Sequence, residues 1–310
     1  MPERLDIHQH LWTEPLIAAL ARRTSPPFAR QANGRFVLYS LGNAPATVDA
    51  GACAVDSRLA ELDRDGTNLA IVSLSSPIGA ESLRRRDADA LLSAYEQGVA
   101  ELPPRFAAWG AIALEDAGPD DVDRVLDAGF VGVSMPAGAF ASPHHVELLG
   151  PVLDRIEQRA AALFVHPGPG LRQVDHHDPS MPSWWPPLTR YVFEMQNAWL
   201  AFLAEGRKAH RDLRVVFAML AGLAPLQRER LAGRGGPACR TADPLFFYDS
   251  SSYGTQALDA MVRCVGVEQI VFGSDRPVVE PPSQHLGEAA RHAIEVTNPV
   301  RALNGHGVAA

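Results

Sequence analysis

Repetition constrains this chain most. Short apolar runs rich in β-branched and aromatic residues recur along its 310 residues, separated by stretches with helical spacing. Eight runs read as strands: 4–11, 68–74, 106–113, 130–135, 162–166, 213–219, 245–249 and 269–273. Each is bounded by Gly, Pro, Asp or Ser. Several are apolar at consecutive positions, as strands buried on both faces of a parallel sheet should be. Between them lie helical stretches at 87–102, 120–128, 146–160, 192–209, 223–231, 255–265 and 284–296. The 120–128 stretch opens on acidic residues and stops at Gly129, a favourable pairing of charge and terminator. Eight βα units in a chain of this length predict an α/β protein, a single-domain TIM-type (β/α)8 barrel over residues 1–310. A doubly wound open sheet is the second choice, and no G-x-G-x-x-G follows the first strand to favour it. Two long segments, 13–62 after strand one and 168–188 after strand five, read as lids or binding loops.

Bulk properties narrow the function. The formal charge is 28 − 36 = −8, which argues against binding driven by nucleic-acid phosphates. Cys53, Cys239 and Cys264 are far apart and form no C-x-x-C, so a reducing cytoplasm is expected. No basic-then-apolar leader opens the sequence, and no apolar run is long enough for a membrane span. The apolar outer stretch WLAFLAEG would permit a homodimer.

Barrel enzymes keep their chemistry at the C-terminal ends of their strands. Strand one ends in His8-Gln9-His10, whose first and third side chains share a face about 6.5–7 Å apart along the chain. Strand five ends in FVHPG with His166, and strand eight in FGSDRP with Asp275. Three imidazoles and one carboxylate at one rim suit a catalytic divalent ion with an open position: Zn²⁺ first, Mn²⁺ or Fe²⁺ as alternatives.

The pieces DIHQH, FVHPG, FGSDRP and the closing TNPVRAL together resemble the amidohydrolase superfamily. More narrowly, they resemble the amidohydrolase-related branch that includes aminocarboxymuconate semialdehyde decarboxylase and related aromatic acid decarboxylases. The resemblance spans residues 5–303. It implies a (β/α)8 barrel with one divalent ion, typically zinc, held by His8, His10, His166 and Asp275. One position departs from it. Members of the family usually carry a histidine at the end of strand six, where this chain reads VVFAMLAGLAP with Met219. A thioether cannot transfer a proton, so Met219 is expected to pack rather than to act.

Other groups are candidates for the missing role. Asp275 can accept a proton from an activated water, as the resemblance implies for hydrolytic members. His177, beside His176 and Asp178 in the long fifth loop, can be lowered over the mouth as a lid. Trp184 and Trp185 can wall an apolar substrate pocket or anchor that loop. Arg276 can clamp a substrate carboxylate or form a structural ion pair. Asp249, at the end of strand seven, resembles a family aspartate that bonds locally near the mouth. The leading expectation is a metal-dependent hydrolase acting on a C–N or C–O carbonyl centre of a small molecule. The alternatives are a non-oxidative decarboxylase of an aromatic or unsaturated acid, and a metal-binding barrel without turnover.

Overall fold

The structure is a computed structural model that describes residues 4–32, 35–171, 180–237, 242–304 and 306. Its strands, in chain order, are β1 (Leu5–Gln9), β2 (Phe28–Ala32), β3 (Arg35–Tyr39), β4 (Ala46–Asp49), β5 (Leu69–Val72), β6 (Phe106–Ala108), β7 (Gly110–Ala111), β8 (Gly132–Pro136), β9 (Ala162–His166), β10 (Arg214–Phe217), β11 (Phe246–Asp249) and β12 (Ile270–Val271). β1, β5 and β6 pair in parallel, and β7 through β12 form a second parallel run in chain order. All eight predicted strands are present, the third split at Trp109 into β6 and β7. The Trp109 indole leaves the ladder to donate to the Ile7 carbonyl at 2.8 Å and stacks on Phe164, with ring centroids 5.0 Å apart. Phe164 in turn meets the edge of the His8 ring at 5.1 Å, so an aromatic layer fills the interior beneath the histidines. At the other end, Ile7 N donates to Phe272 O at 3.0 Å, and Gln9 forms a parallel bridge with Arg276.

The long segment after β1 is not a plain loop. It carries helices Glu14–Ala21 and Val55–Asp65 and a three-stranded antiparallel sheet in the order β2–β3–β4. RFVLY in β3 alternates, burying Phe36 and Leu38 while its other side chains face outward. The segment after β9 contains the short helix Trp185–Leu188, and its residues 172–179 lie outside the described residues.

Local signals behave as their chemistry requires. Helix Pro119–Asp127 is closed at its start by Asp121, which accepts from Gly118 N at 3.1 Å. The helical stretch expected at 192–209 is Arg190–Ala201 followed by a wider turn over Phe202–Gly206. In the closing motif, Asn298 Nδ2 donates to Val267 O and Ile270 O at 2.8 and 2.7 Å, tying the last helix to β12. Cys53 and Cys264 are free, and Cys239 lies outside the described residues. Among the described residues, no helix is long and apolar enough to cross a membrane.

Glu81 is fully buried after β5, where one carboxylate oxygen accepts from Ser76 and the other has no partner among the described residues. Burial pushes its carboxyl up to about 7. The folded chain therefore keeps a proton that the unfolded chain loses near 4.5, so this group costs stability as pH rises from 4.5 to 7. Glu81→Gln removes that cost. Urea midpoints at pH 5 and pH 7.5 are expected to fall further in the wild type than in the variant, and an equal fall in both would contradict the assignment.

Candidate metal centre

β1 delivers His8 and His10 to the same side, as its alternation requires, with both side chains buried. His166 arrives from the end of β9, and Asp275 from the turn after β12. Asp275 has φ of 60°, an uncommon backbone for a residue with a side chain, and its N–H donates to His8 O at 2.8 Å. That bond couples the turn directly to β1. One ligand-type atom from each of His8, His10, His166 and Asp275 lies within 4.8 Å of the others. His8 Nε2 stands 3.2 Å from His10 Nε2, and Asp275 Oδ1 stands 3.1 Å from His10 Nε2 and 3.6 Å from His8 Nε2. The three imidazole planes are mutually close to perpendicular, at 88–90°, with centroids 4.9–5.1 Å apart.

Each imidazole has its outer nitrogen occupied. His8 Nδ1 bonds Asp249 Oδ2 at 2.6 Å, His10 Nδ1 bonds Ser73 O at 2.9 Å, and His166 Nδ1 bonds Pro167 O at 2.9 Å. All three partners are acceptors, so each Nδ1 carries the proton and each Nε2 turns a lone pair inward. Asp249 is itself held by Ser251 N, which donates to Oδ1 at 2.6 Å. Gly273 leaves room for this pairing. A Cβ there would meet both the Asp249 carboxylate and His8 Cβ at 2.8 Å.

A cluster of inward lone pairs and a carboxylate repels itself unless something positive sits among it. The donors fit a divalent cation, with three nitrogens on mutually perpendicular rings and one oxygen. The electrostatics of the side chains alone point the same way. Burial would lower the His8 pKa, but the Asp249, Asp275 and Asp6 carboxylates raise it to about 9. Burial, together with the positive charge of His8 and His10, holds His166 well below its ordinary value. Burial would raise Asp275, yet the three histidines lower it.

The cluster lies at the floor of a cavity of about 460 Å³, into which His10, His166 and Asp275 open. Trp12, Leu38 and Val48 line one side, the latter two from the antiparallel sheet, and Ile78, Tyr191 and Val278 line others. Met219 is on the wall at the end of β10. It begins five consecutive residues, Met219 to Leu223, with φ between 49° and 62°, a left-handed turn that L-residues adopt only under constraint. Ser251 Oγ accepts from Met219 N at 3.3 Å and Gln196 Nε2 donates to Gly222 O at 2.8 Å, holding that turn in place.

Other expected site residues are placed differently. Arg276 does not face the cavity. Its guanidinium pairs with Glu280 at 2.6 Å, Asp65 at 3.2 Å and Glu61 at 3.5 Å, so the substrate clamp gives way to the structural ion pair. Trp184 and Trp185 are 56% and 42% exposed and do not line the cavity, while their neighbours Ser183, Pro186 and Pro187 do. His177, with His176 and Asp178, lies outside the described residues. Sequence reasoning did not reach the contribution of β3 and β4 to the cavity wall. The alternation in RFVLY was the available signal.

A buried cluster of metal-type ligands thus stands at the C-terminal ends of parallel strands. No protein-family model matches the chain. Over 250 residues it is 23% identical to the 2-amino-3-carboxymuconate-6-semialdehyde decarboxylase of Dictyostelium discoideum, covering 74% of this chain and 68% of the relative. Its fold is that of the apo IDCase of Metarhizium anisopliae, with a TM-score of 0.78, 19% identity and coverage of 98% and 97% of the two chains. It also matches a 5-carboxyvanillate decarboxylase from Novosphingobium aromaticivorans with bound manganese and 3-methoxy-4-hydroxy-5-nitrobenzoic acid. There the TM-score is 0.74, with 15% identity and coverage of 98% and 97%. These relatives are of the branch that the motifs resemble. They correct the expectation of a hydrolase, since the curated relative and two of the structures sharing the fold are decarboxylases by name. They give no support to a barrel without turnover. The metal in the Novosphingobium structure is manganese, not the zinc expected from sequence.

Asp249→Asn keeps the size of the side chain that orients His8 but lets an amide N–H face Nδ1, which favours the wrong tautomer. Affinity for Mn²⁺ is expected to fall about 10–100-fold, as for other groups that orient a metal-ligating histidine. Titration calorimetry on the metal-stripped chain reads this directly, and unchanged affinity would show that Asp249 does not set the tautomer.

Proposed function

We propose that the chain is a metal-dependent, non-oxidative decarboxylase of an aromatic or unsaturated carboxylic acid, acting as one closed (β/α)8 domain. The carrying observation is the buried His8–His10–His166–Asp275 cluster at the floor of a largely apolar cavity. The decarboxylase relatives support the same reading. So do the bonds from Ile7 and Gln9 across to Phe272 and Arg276, which support closure of the barrel.

The reaction replaces one bond with another: R–COO⁻ and H⁺ give R–H and CO₂. The chain must hold the carboxylate, keep water away and deliver a proton to carbon. His8, His10, His166 and Asp275 would hold a divalent cation, which would supply positive charge to orient an anionic substrate, and manganese is the metal bound in the Novosphingobium structure. Leu38, Ile78, Met219 and Val278 present an apolar surface suited to a planar or unsaturated skeleton. Asp275 is the carboxyl that opens from the cluster into the cavity, and its second oxygen is 3.5 Å from Ser252 Oγ. It is the group placed to carry the proton to carbon, a role Met219 cannot fill.

The test is a panel of hydroxybenzoic and unsaturated carboxylic acids offered to Mn²⁺-loaded protein in D₂O. CO₂ release with one deuterium at the vacated carbon is expected for at least one of them. Asp275→Asn should lose about 10²–10⁴-fold in rate, the usual worth of a positioned proton donor. Cleavage of esters, lactones or amides with no CO₂ from any acid would overturn the proposal.

A further inference from the structure

A second group of donors lies away from the cavity. Helix Gly150–Gln158 presents Asp154 and Glu157 one turn apart on the same face. Facing them is His210, which ends the short helix Arg207–Ala209 just before β10. One ligand-type atom from each of the three lies within 4.8 Å of the others. Acidic groups on a helix face mean little alone, but His210 is unusual. Its side chain is 4% exposed, and its Nδ1 is shielded from solvent and makes no hydrogen bond among the described residues. A carboxylate oxygen of Asp154 is nevertheless only 3.1 Å away.

That combination of distance and missing bond has a simple meaning. A ring N–H aimed at an oxygen at this distance would be a hydrogen bond, so the oxygen lies off the axis of the nitrogen. Two donors that share an ion at about 2.1 Å stand about 3.0 Å apart at an angle of 90° and about 3.4 Å apart at the tetrahedral angle, each about 35–45° off the axis of the other. The His210–Asp154 pair has the spacing of neighbouring ligands. Glu157 is fixed as well, since its Oε1 accepts from Asp212 N at 2.5 Å, leaving Oε2 for another partner. His210 is fixed at its backbone by Gly206 O, which accepts from His210 N at 2.8 Å.

We propose that His210, Asp154 and Glu157 form a second cation site, separate from the cavity and selective for a borderline divalent ion such as Zn²⁺. One imidazole and two carboxylates match that ion and leave room for water to complete its shell, whereas a donor set containing nitrogen disfavours Ca²⁺ and Mg²⁺. Bound there, the ion ties the helix that precedes β9 to the connection that leads into β10. It braces the barrel from outside without touching substrate.

The experiment counts ions on the full-length chain. Wild type, His210→Gln, Asp154→Asn and the double variant His8→Ala/His10→Ala are dialysed against micromolar Zn²⁺ and assayed by plasma mass spectrometry. The proposal expects one Zn²⁺ that survives loss of His8 and His10 and whose affinity falls at least tenfold in His210→Gln and in Asp154→Asn. Because Asp154 is exposed, its variant keeps the test sound should His210→Gln fail to fold. Zinc content that neither variant alters, or no zinc on the His8/His10 variant, overturns the site. The cavity centre is scored apart, by the ion that His8→Ala/His10→Ala removes.

Discussion

Three buried imidazoles share one constraint, and the centre depends on it: each has its Nδ1 committed to an acceptor outside the cluster. For His8 the acceptor is the Asp249 carboxylate at 2.6 Å, and for His10 and His166 it is a backbone carbonyl at 2.9 Å. With Nδ1 settled, Nε2 has no choice but to present its lone pair inward. A neutral histidine with no such partner would exchange tautomers and rotate, and the ring faces would lose the perpendicular arrangement that brings their nitrogens together. Such a cluster is costly to bury and stays buried only because the surrounding strands leave its members nowhere else to go.

The fold supplies that confinement in layers. Below the histidines, Trp109 and Phe164 stack and close the interior. Beside them, the left-handed geometry at Asp275 lets one turn contribute both a backbone donor to β1 and a carboxylate to the cluster. Above, the antiparallel sheet β2–β3–β4 folds over one side of the mouth and gives Leu38 and Val48 to the cavity wall. The result is a floor of buried, fixed donors under a largely apolar cavity, where charge is felt more strongly than in water.

Much of this was legible in the chain. The eight expected strands announce themselves because buried parallel strands need consecutive apolar residues, and runs such as ALFVH and LFFYD have little else they can form. The cluster was legible for a related reason, since a polar residue that closes an apolar strand lies at the rim. What escaped depends on longer-range packing. The antiparallel pairing of β2 with β3 rests on one short alternation, RFVLY, among prolines and glycines that read as loop. Whether Arg276 meets substrate or Glu280 depends on a turn after β12 that no local pattern reports. The two tryptophans are exposed and do not line the cavity, while the prolines beside Trp185 do, a difference within a single helical turn. The replacement of the usual histidine by Met219 was visible as a letter. Its left-handed setting was not, because four of the five residues of positive φ are not glycine and are held there by tertiary bonds.

The central claim is that one cation sits among four particular atoms, and anomalous diffraction from crystals of the Mn²⁺-loaded protein tests it most directly. The account predicts a strong manganese peak at about 2.0–2.3 Å from the Nε2 atoms of His8, His10 and His166 and from a carboxylate oxygen of Asp275. A crystal with manganese elsewhere, or with these imidazoles turned so that fewer than three nitrogens reach the ion, would contradict it.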